Sequence, residues 1–247
     1  MQFEWQGRPF ELIDTAGIRR KSRVSETIEK FSIVKALQAV DRAHVVIAMT
    51  DAHEDIGVHD ARLMGLIAQH GRAMVLAVNK WDGLAQDERK LVRDAVDFKL
   101  PFLDFVPLHF VSALHGSGLR ELMEDVVEAY EATLREIPTP ELNRVLEKAV
   151  ERHQPPAVLG RRIKLRYAHQ AGRNPTKIIV HGNQTEKLPD SYHRYLGNEF
   201  RRAFKLKGVP LRLEFRTGDN PFKGRKNELT GRQIKKRRRL MEKVKKR

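Results

Sequence analysis

Four apolar runs, separated by amphipathic segments, constrain the fold of this chain more than any other feature of its sequence. The runs lie at 9–14, 44–51, 73–80 and 104–112. Nearly unbroken apolar strands are typical of a parallel sheet covered by helices on both faces, because neither face then meets water. The other segments have helical periodicity and lie at 25–40, 59–70, 86–98 and 118–135. Residues 1–137 are therefore predicted to form an α/β domain, with 1–6 as an added edge strand joined by a turn at residues 7 and 8.

The second part of the chain has a different composition and a different predicted order of elements. Pro138 and Pro140 mark the join. A helix, two strands, a helix and a strand follow, at 141–153, 161–167, 177–181, 190–204 and 211–216. This order indicates a small α+β domain with a three-stranded sheet over residues 138–222. Residues 223–247 are a tail with 13 basic and two acidic side chains.

Charge separates the two parts as sharply as composition does. The whole chain has a formal net charge of +15, to which residues 1–137 contribute −5 and residues 138–247 contribute +20. A surplus of this size favours a polyanion as the partner of the second part, because each neutralised phosphate releases counterions. Charge alone leaves RNA, DNA and anionic lipid as alternatives.

Cysteine and long apolar runs are absent from the sequence. No disulfide or thiolate metal site can form, no run reaches the roughly 20 residues that span a bilayer, and the first residues do not resemble a signal peptide. The ten histidines are scattered and suggest no metal cluster. We expect a soluble, cytoplasmic, monomeric protein without a membrane partner.

Three polar motifs each end a predicted strand: DTAG at 14–17, NKWD at 79–82 and SAL at 112–114. Ligands of a doubly wound sheet lie at the carboxyl ends of its strands, so the three motifs are expected to meet at one site. DTAG alone also fits a strand followed by a turn, NKWD alone also fits a turn that caps a helix, and SAL alone is nearly uninformative. Together and in this order they favour a nucleotide site.

The chemistry of these motifs fits guanine. Asp82 can accept two hydrogen bonds from the ring N–H and the amine of guanine, an edge that adenine lacks. Asn79 can bond the opposite edge or tie neighbouring loops together, the Lys80 stem can lie flat against the base, and the Ala113 N–H can donate to the guanine oxygen. Such a site rejects the wrong base, because its buried polar groups would be left unpaired.

The DTAG motif suits the phosphate end of a nucleotide. Asp14 is predicted to hold Mg²⁺ through a water molecule, and the Gly17 N–H to meet the terminal phosphate without a side chain in the way. Ile18 stands where many GTPases have a glutamine that orients water, so no catalytic residue is assigned. Arg19 and Arg20 follow in the same predicted switch segment.

Several longer segments resemble one bacterial protein family. DTAGIRRK, NKWDGL, HFVSALHGSG, HQPP, GRRIKLRYAHQ, HGNQ, LPDSYHRYLGNEF and the basic terminus are similar to the second GTPase domain and KH-like domain of the double-GTPase family called Der or EngA. The resemblance covers essentially the whole chain. It implies a P-loop-type GTPase with GTP, GDP and Mg²⁺ as ligands, tandem GTPase domains before the KH-like domain, and a role in assembly of the large ribosomal subunit with its RNA. It assigns nucleotide contacts to Asp14, Thr15, Ala16, Gly17, Ile18, Asn79, Lys80, Trp81, Asp82, Ser112, Ala113 and Leu114.

One part of the family pattern is missing from this sequence. The phosphate loop G-x-x-x-x-G-K-[ST] should precede DTAG by roughly 30 residues, yet no glycine of the chain is followed by lysine. The strand of that loop would also lie between the DTAG strand and the strand at 44–51. We therefore expect an incomplete GTPase domain that binds guanine nucleotide weakly and does not turn over GTP. The chain is then a truncated piece of a longer protein, the product of a mis-started reading frame, or a chain whose other segment is unseen. K⁺ is a further candidate ion, with its ligands in the same missing segment.

The KH-like part also departs from the usual pattern. A KH domain clamps nucleic-acid backbone with a G-x-x-G loop, which is absent after residue 138. We expect RNA to bind instead to a basic stripe on one strand face, to cations near it and to the tail. The candidates are Arg161, Arg162, Lys164, Arg166, Lys177, Arg201, Arg202, Lys235, Lys236, Arg237, Arg238 and Arg239. Tyr167, Tyr192 and Tyr195 either stack on bases or pack as buried tyrosines with a solvated hydroxyl.

Three functions fit these features. The first is part of a ribosome-assembly GTPase whose nucleotide state controls how the KH-like domain meets ribosomal RNA, beside the protein's other GTPase domain. The second is an RNA- or ribosome-binding module whose nucleotide fold no longer hydrolyses GTP. The third is association with anionic membranes through the basic tail.

Overall fold

The computed structural model describes residues 1–13, 37–158 and 161–218. The DTAG motif, the switch residues that follow it, most of the helix predicted at 25–40 and the tail residues 235–239 lie outside these ranges. Residues 37–42 are helical, in agreement with the predicted end of that helix.

The chain begins with a β-hairpin. Strand β1 (Gln2–Trp5) pairs antiparallel with β2 (Arg8–Glu11). Gln6 and Gly7 have φ of 49° and 73°, the left-handed pair that a two-residue hairpin turn requires. A strand within residues 1–6 is confirmed, but its turn lies at residues 6 and 7 instead of 7 and 8, and it is not an edge of the parallel sheet within the described residues. The strand predicted at 9–14 is wrong in extent, and it does not join the parallel sheet within the described residues: β2 pairs with the nearest strand in sequence and forms a separate two-stranded sheet.

A parallel sheet forms the centre of the first part. Its strand order is β3 (Val45–Asp51), β4 (Ala73–Asn79) and β5 (Leu108–Phe110). The six apolar residues of β4 are at most 2 % exposed, as expected for a central strand covered on both faces. The strand predicted at 104–112 is wrong in extent. The Pro107 carbonyl accepts the Leu76 N–H at 2.9 Å, but Pro107 has no N–H to donate, and the strand begins only at Leu108.

Three helices cover this sheet: α1 (Val58–His70), α2 (Gln86–Lys99) and α3 (Leu119–Thr133). Their bounds agree with the predicted ones to within two residues. The first two make the crossovers between parallel strands, and this confirms the α/β architecture.

The second part has the predicted order α-β-β-α-β. Its elements are α4 (Thr139–Arg152), the two-residue strands β6 (Ala157–Val158) and β7 (Arg161–Arg162), then β8 (Lys164–Arg173), β9 (Thr176–Asn183), α5 (Asp190–Ala203) and β10 (Leu211–Thr217). The sheet order is β10-β9-β8, with β8 antiparallel and β10 parallel to the central strand β9. This is the predicted α+β layer with three strands.

The strand predicted at 161–167 is wrong as a continuous element. The chain leaves the β6–β7 ladder, buries Ile163 to 3 % exposure and starts β8 at Lys164. A register shift between Leu165 and Tyr167 then interrupts the pairing with β9. A bulge of this kind breaks the alternation of side chains, so the single basic stripe predicted for this strand is split.

One buried apolar cluster continues from the first part into the second. Its members include Val75, Val126, Ala129, Leu142, Ile178, Val180 and Phe200. They come from β4, α3, α4, β9 and α5, so elements of both parts contribute to one core. Residues up to Thr217 accordingly form one compact unit. The predicted domain ranges 1–137, 138–222 and 223–247 stay predictions.

Hydrogen bonds fix the segment that links the two parts. The Ile137 N–H donates to Oε1 of Gln170 at 2.8 Å, and Nε2 of Gln170 donates to the Arg135 carbonyl at 3.2 Å. Oδ1 of Asn143 accepts the Ala168 N–H at 2.6 Å. Because β8 is an edge strand, this side chain satisfies a ladder donor that would otherwise be left unpaired.

Backbone groups also join the two parts directly. The Met74 N–H donates to the Gly208 carbonyl at 2.8 Å, and the Gly208 N–H donates to the Phe105 carbonyl at 2.9 Å. Gly208 has φ 68°, and a Cβ on it would lie 2.8 Å from the Met74 carbonyl oxygen. Only glycine satisfies both the left-handed backbone and this close approach.

Candidate functional site

The tips of β3, β4 and β5 are joined through Asn79. Its Oδ1 accepts the Ala113 N–H at 2.9 Å, and its carbonyl accepts the Ala52 N–H at 2.9 Å. The Trp81 N–H donates to the Val111 carbonyl at 3.1 Å. The Asn79 amide thus ties neighbouring loops together, the second of the two roles considered for it, and its contact with a base stays a prediction.

The loop after β4 is shaped by its backbone and by one packed ring. Lys80 has φ 64°, a left-handed conformation that turns the chain out of the strand. The Trp81 ring packs on Phe110 of β5 with centroids 4.0 Å apart, and the Arg93 guanidinium lies 5.2 Å from each ring. The Trp81 side chain therefore supports the loop from the core side, and its contact with a nucleotide stays a prediction.

The Asp82 carboxylate has two polar neighbours. Hydrogen bonding from the Ser112 hydroxyl, aided by the backbone of Asp82 itself and by the nearby His115, holds the pKa of Asp82 below its ordinary value. Nε2 of His115 lies 3.3 Å from Oδ2 of Asp82. The carboxylate is thus an ionised acceptor at neutral pH, the state that two N–H donors on a guanine edge require.

The SAL motif follows β5 at the same edge of the sheet. Ser112 is 1 % exposed, and a tight loop in which its carbonyl accepts the Gly116 N–H at 2.8 Å positions the motif. The Ala113 N–H is already donated to Asn79, so a guanine oxygen would have to share this donor. Leu114 is 86 % exposed.

Asp51 is a site residue that the sequence reasoning missed. Its Oδ2 lies 2.7 Å from Nζ of Lys80, and its Oδ1 accepts the His53 N–H at 3.0 Å. Asp51 is the register partner of Asn79 at the end of β3. An aspartate ending an apolar run next to the NKWD strand was the available signal. The Lys80 ammonium is therefore held toward β3, while its stem remains available to a base.

The predicted phosphate end of the site lies outside the described residues. This applies to Asp14, Thr15, Ala16, Gly17, Ile18, Arg19 and Arg20. In the part of the chain that the structure describes, no three His, Asp or Glu side chains are grouped closely enough to hold a metal ion. The prediction of Mg²⁺ thus rests on Asp14, and that of K⁺ on no described residue.

The predicted RNA-binding cations of the second part do not form one surface. Arg162, Lys164 and Arg166 are exposed at β7 and β8. Nζ of Lys177 lies 2.5 Å from Glu214, and Nη2 of Arg202 lies 2.5 Å from Glu199, so both are locally neutralised.

Arg201 is placed where the two parts meet. Its guanidinium carbon lies 4.6 Å above the Phe105 ring, its Nη1 is 3.7 Å from the Asp104 carboxylate, and its side chain is 21 % exposed. Burial lowers the pKa of Arg201, with Asp104 opposing the shift. This arrangement serves packing between the two parts, and Arg201 does not lie with the exposed cations of β8.

The three tyrosines considered for stacking have different environments. The Tyr192 hydroxyl donates to the His153 carbonyl at 2.7 Å, and the Tyr195 hydroxyl donates to the Ala149 carbonyl at 2.8 Å. Both close the end of α4, and burial raises the pKa of each. The expectation of a solvated hydroxyl is wrong for them, because the hydroxyl is used by the backbone. Tyr167 is 47 % exposed.

None of the helices in the described ranges is long and apolar enough to cross a bilayer.

Comparisons with known proteins match both parts of the chain. A family model described as Elongation factor Tu GTP binding domain matches residues 1–132. A second one, described as KH-domain-like of EngA bacterial GTPase enzymes, C-terminal, matches residues 136–216.

Similar curated proteins carry the name GTPase Der. The protein from Thioalkalivibrio sulfidiphilus is 55 % identical over 244 residues, and that from Methylococcus capsulatus is 53 % identical over 245 residues. Each alignment covers 99 % of this chain and 53 % of the relative. The chain therefore spans about half the length of the curated relatives it matches.

The solved structures that match this chain are less similar in sequence than these relatives. Era in complex with MgGDPNP and nucleotides 1506-1542 of 16S ribosomal RNA is 17 % identical with a TM-score of 0.35, covering 82 % of this chain and 74 % of that one. The cytosolic domain of the T. maritima FeoB iron transporter in its GMPPNP form is 21 % identical with a TM-score of 0.38, covering 61 % and 56 %.

Proposed function

The chain belongs to the GTPase Der family, and from that premise we propose that it recognises the guanine base of GTP and GDP and binds ribosomal RNA. The protein it represents would act in assembly of the large ribosomal subunit, in the cytoplasm, as a monomer. Because the relatives are about twice as long, we propose that a further GTPase domain works beside the region described here.

The observation that carries the nucleotide part is the hydrogen bond from the Ala113 N–H to Oδ1 of Asn79, 2.9 Å long. It brings the NKWD loop and the SAL loop to one edge of the parallel sheet. Asp82 and Ser112 lie in these two loops, and hydrogen bonding with the Ser112 side chain lowers the pKa of Asp82. The carboxyl edge of a parallel sheet is where such folds bind ligands.

The donor and acceptor pattern of this edge supports guanine over adenine. Asp82 offers two carboxylate oxygens to the ring N–H and the amine of guanine, whereas adenine has an unprotonated ring nitrogen facing the same position. An adenine would leave the carboxylate facing a lone pair. The Lys80 stem, with its ammonium held by Asp51, can cover one face of the base.

The phosphate end is proposed from the sequence alone. Asp14 would hold Mg²⁺, the Gly17 N–H would meet the terminal phosphate, and Mg²⁺ would neutralise charge on the phosphate oxygens. These 247 residues contain no G-x-x-x-x-G-K-[ST] sequence. We therefore propose that this polypeptide binds guanine nucleotide weakly, mainly through the base, and releases no phosphate from GTP.

RNA binding is proposed from charge. Residues 138–247 have a surplus of 20 positive charges, and Lys164 and Arg166 are exposed on β8. Phosphate contacts by such side chains give affinity that falls with salt concentration. The RNA of the large ribosomal subunit is the proposed partner.

The nucleotide proposal can be tested by changing the base and its acceptor together. NMR titrations of the 247-residue chain with GDP and with xanthosine diphosphate would compare Asp82→Asn with the unchanged protein. Xanthine has a carbonyl oxygen in place of the guanine amine, and the substituted side chain has an amide donor that can meet it. The variant should therefore bind GDP more weakly and xanthosine diphosphate more tightly, each by about tenfold or more.

The matched control is Asp87→Asn, an exposed carboxylate in the first turn of α2, which should leave both affinities unchanged. Equal affinity of the Asp82→Asn variant for the two nucleotides and no loss of GDP binding would contradict guanine reading by Asp82. Release of phosphate from GTP by the purified chain would contradict the proposed inactivity and leave base recognition untouched.

The RNA-binding alternative predicts a different dependence on nucleotide. If the nucleotide fold no longer controls RNA binding, affinity for large-subunit RNA will be the same with and without saturating GDP, and the same for Asp82→Asn. If nucleotide state controls RNA binding, as in a ribosome-assembly GTPase, GDP and RNA are coupled ligands. Each then changes the affinity of the chain for the other by the same factor.

A further inference from the structure

The second sheet presents a row of rings and cations on one face. Tyr167 of β8 and Arg216 of β10 are both register partners of His181 on β9. Register partners point to the same side of a sheet, so the three side chains lie side by side across the strands. In the next row, Ala168 and Val180 are fully buried in the cluster to which α4 and α5 contribute. The first row therefore lies on the face turned away from the helices.

We call this surface the ring face, defined by Tyr167, His169, His181 and Arg216. The Tyr167 and His181 rings are stacked with centroids 4.3 Å apart and planes 9° from parallel. The His169 ring lies 5.3 Å from His181 with planes at 22°. Three stacked rings side by side form a platform that needs no rearrangement to receive another flat group.

Tyr167 is the exposed end of this stack. It is 47 % exposed, in contrast to the buried Tyr192 at 2 %. β8 is an edge strand, and no strand among the described residues pairs with its outer side. The ring surface of Tyr167 turned away from His181 therefore has no strand beside it, and a planar group can extend the stack there.

Charge around the ring face is mostly positive. Strands β8, β9 and β10 contain six Lys or Arg and one acidic residue, Glu214. The Glu214 carboxylate is shared by Lys177 at 2.5 Å and Arg216 at 2.8 Å. Lys164 and Arg166, on the same edge strand as Tyr167, are exposed. An exposed aromatic ring with two exposed cations just before it on the same strand fits a base flanked by phosphates.

We propose that the ring face binds single-stranded RNA, with one base stacked on Tyr167 and the neighbouring phosphates against Lys164 and Arg166. The proposal rests on the RNA-binding part of the proposed function and names the site for it. A single strand is required because the bases of a duplex are already stacked and cannot reach the ring. His181 holds the Tyr167 ring in place, so little side-chain freedom is lost when the base arrives.

Fluorescence anisotropy with a short labelled oligoadenylate and the 247-residue chain tests this site. Tyr167→Ala should raise the Kd by about tenfold, the effect of losing one stacked base, and Tyr167→Phe should change it less than about twofold. Tyr130→Ala is the matched control, because Tyr130 is 37 % exposed and its ring lies 5.3 Å from a histidine ring, yet it belongs to the first part.

Salt dependence separates stacking from charge. Tyr167→Ala should leave the slope of log Kd against log salt unchanged, whereas Arg166→Ala should reduce it by about one, because only the latter removes a phosphate contact. Circular dichroism melting of each variant shows whether it is folded. Tyr167→Phe keeps the aromatic ring, so it tests stacking even if Tyr167→Ala does not fold.

Several outcomes would overturn the proposal. Equal affinities for Tyr167→Ala and Tyr130→Ala would exclude the ring face while leaving RNA binding elsewhere intact. Tighter binding of the matching single-stranded DNA, or a Tyr167 effect on anionic vesicles with none on RNA, would assign the face to another ligand. Failure of the unchanged chain to bind any RNA would defeat the RNA part of the proposed function itself, a result distinct from the others.

Discussion

Nζ of Lys80 lies 2.7 Å from Oδ2 of Asp51, a carboxylate whose side chain is 5 % exposed. The contact joins the tips of two neighbouring parallel strands, since Asp51 ends β3 and Lys80 follows β4. It holds the lysine at the edge of the sheet where Asn79 and Asp82 are also found. Lys80 is thereby positioned before any base arrives.

A double-mutant cycle measures this ion pair. Asp51→Asn, Lys80→Met and the double variant should show a coupling of about 1 kcal/mol in the free energy of unfolding, because one partner is buried and the other is exposed. Urea denaturation gives the three values. Asp51→Asn should also weaken GDP binding in the NMR titration. Additive single effects would mean that the contact does not position Lys80.

The shared core predicts that the two parts unfold together. The chain has two tryptophans, Trp5 and Trp81, both in the first part. Phe200, in the second part, is fully buried. In a Trp5→Phe background, Phe200→Ala should lower the unfolding free energy reported by Trp81 fluorescence by about 3 to 5 kcal/mol, the usual cost of the cavity.

Phe98→Ala is the control for this measurement, because Phe98 is 84 % exposed and its loss should leave the transition in place. A Trp81 transition unmoved by Phe200→Ala, with a second transition visible by circular dichroism, would show that the two parts unfold independently.

Two glycines with similar positive φ allow the cost of a left-handed backbone to be measured separately from the cost of a steric clash. Gly71 has φ 78° and Gly116 has φ 75°. A Cβ at Gly71 would lie 2.7 Å from Cγ of Pro175, whereas nothing lies within 4 Å of one at Gly116. Both alanine variants should lose about 1 kcal/mol of stability to the left-handed backbone, and Gly71→Ala should lose about 1 to 3 kcal/mol more to the clash.

Chemical denaturation of the two variants gives the difference directly. Equal losses would mean that the turn containing Pro175 moves away without cost, so that the contact between α1 and the second sheet is loose.

His181 predicts a loss of stability in acid. Burial, reinforced by His169 and Arg216 and opposed by Glu214, lowers the pKa of His181 from its ordinary value of 6.5. At a pH between the lowered pKa and 6.5, this histidine is protonated in the unfolded chain but not in the folded one. The free energy of unfolding therefore falls as the pH falls through this range, and it is fully retained above pH 6.5.

His181→Phe keeps a ring in the stack and removes the titrating group. Urea denaturation at about pH 8 and about pH 5 should show a smaller difference for this variant than for the unchanged chain. The same difference in both proteins would assign the acid sensitivity to other groups.

Much of the architecture could be predicted from the sequence. The run at 73–80 is apolar at nearly every position, which only a central strand of a covered sheet requires, and the structure has β4 there. The order of elements after Pro138 predicted the second sheet. Two predicted strands were wrong in extent, one at Pro107 and one at the short ladder before Lys164. Hydrogen-bond register depends on a partner strand, and the local sequence pattern does not contain that partner.

The candidate site was predictable only in part. The sequence singled out Asn79, Asp82 and Ser112 by motif, and the structure brings them together. It did not single out Asp51, and it left two roles open for Asn79. The amide oxygen can accept a hydrogen bond from a base or from a neighbouring loop. Which donor it meets depends on the distance between the strand tips, and that distance is a property of the assembled sheet.

The sequence by itself determined the elements, their order and the residue types offered to a nucleotide, because these follow from periodicity and from side-chain chemistry along the chain. Only the tertiary structure decided that Tyr192 and Tyr195 donate to carbonyls of α4 while Tyr167 faces solvent, and that Arg201 is enclosed between the two parts. Burial and hydrogen-bond partners depend on contacts between residues far apart in the chain, and such contacts exist only once the sheets and helices have packed.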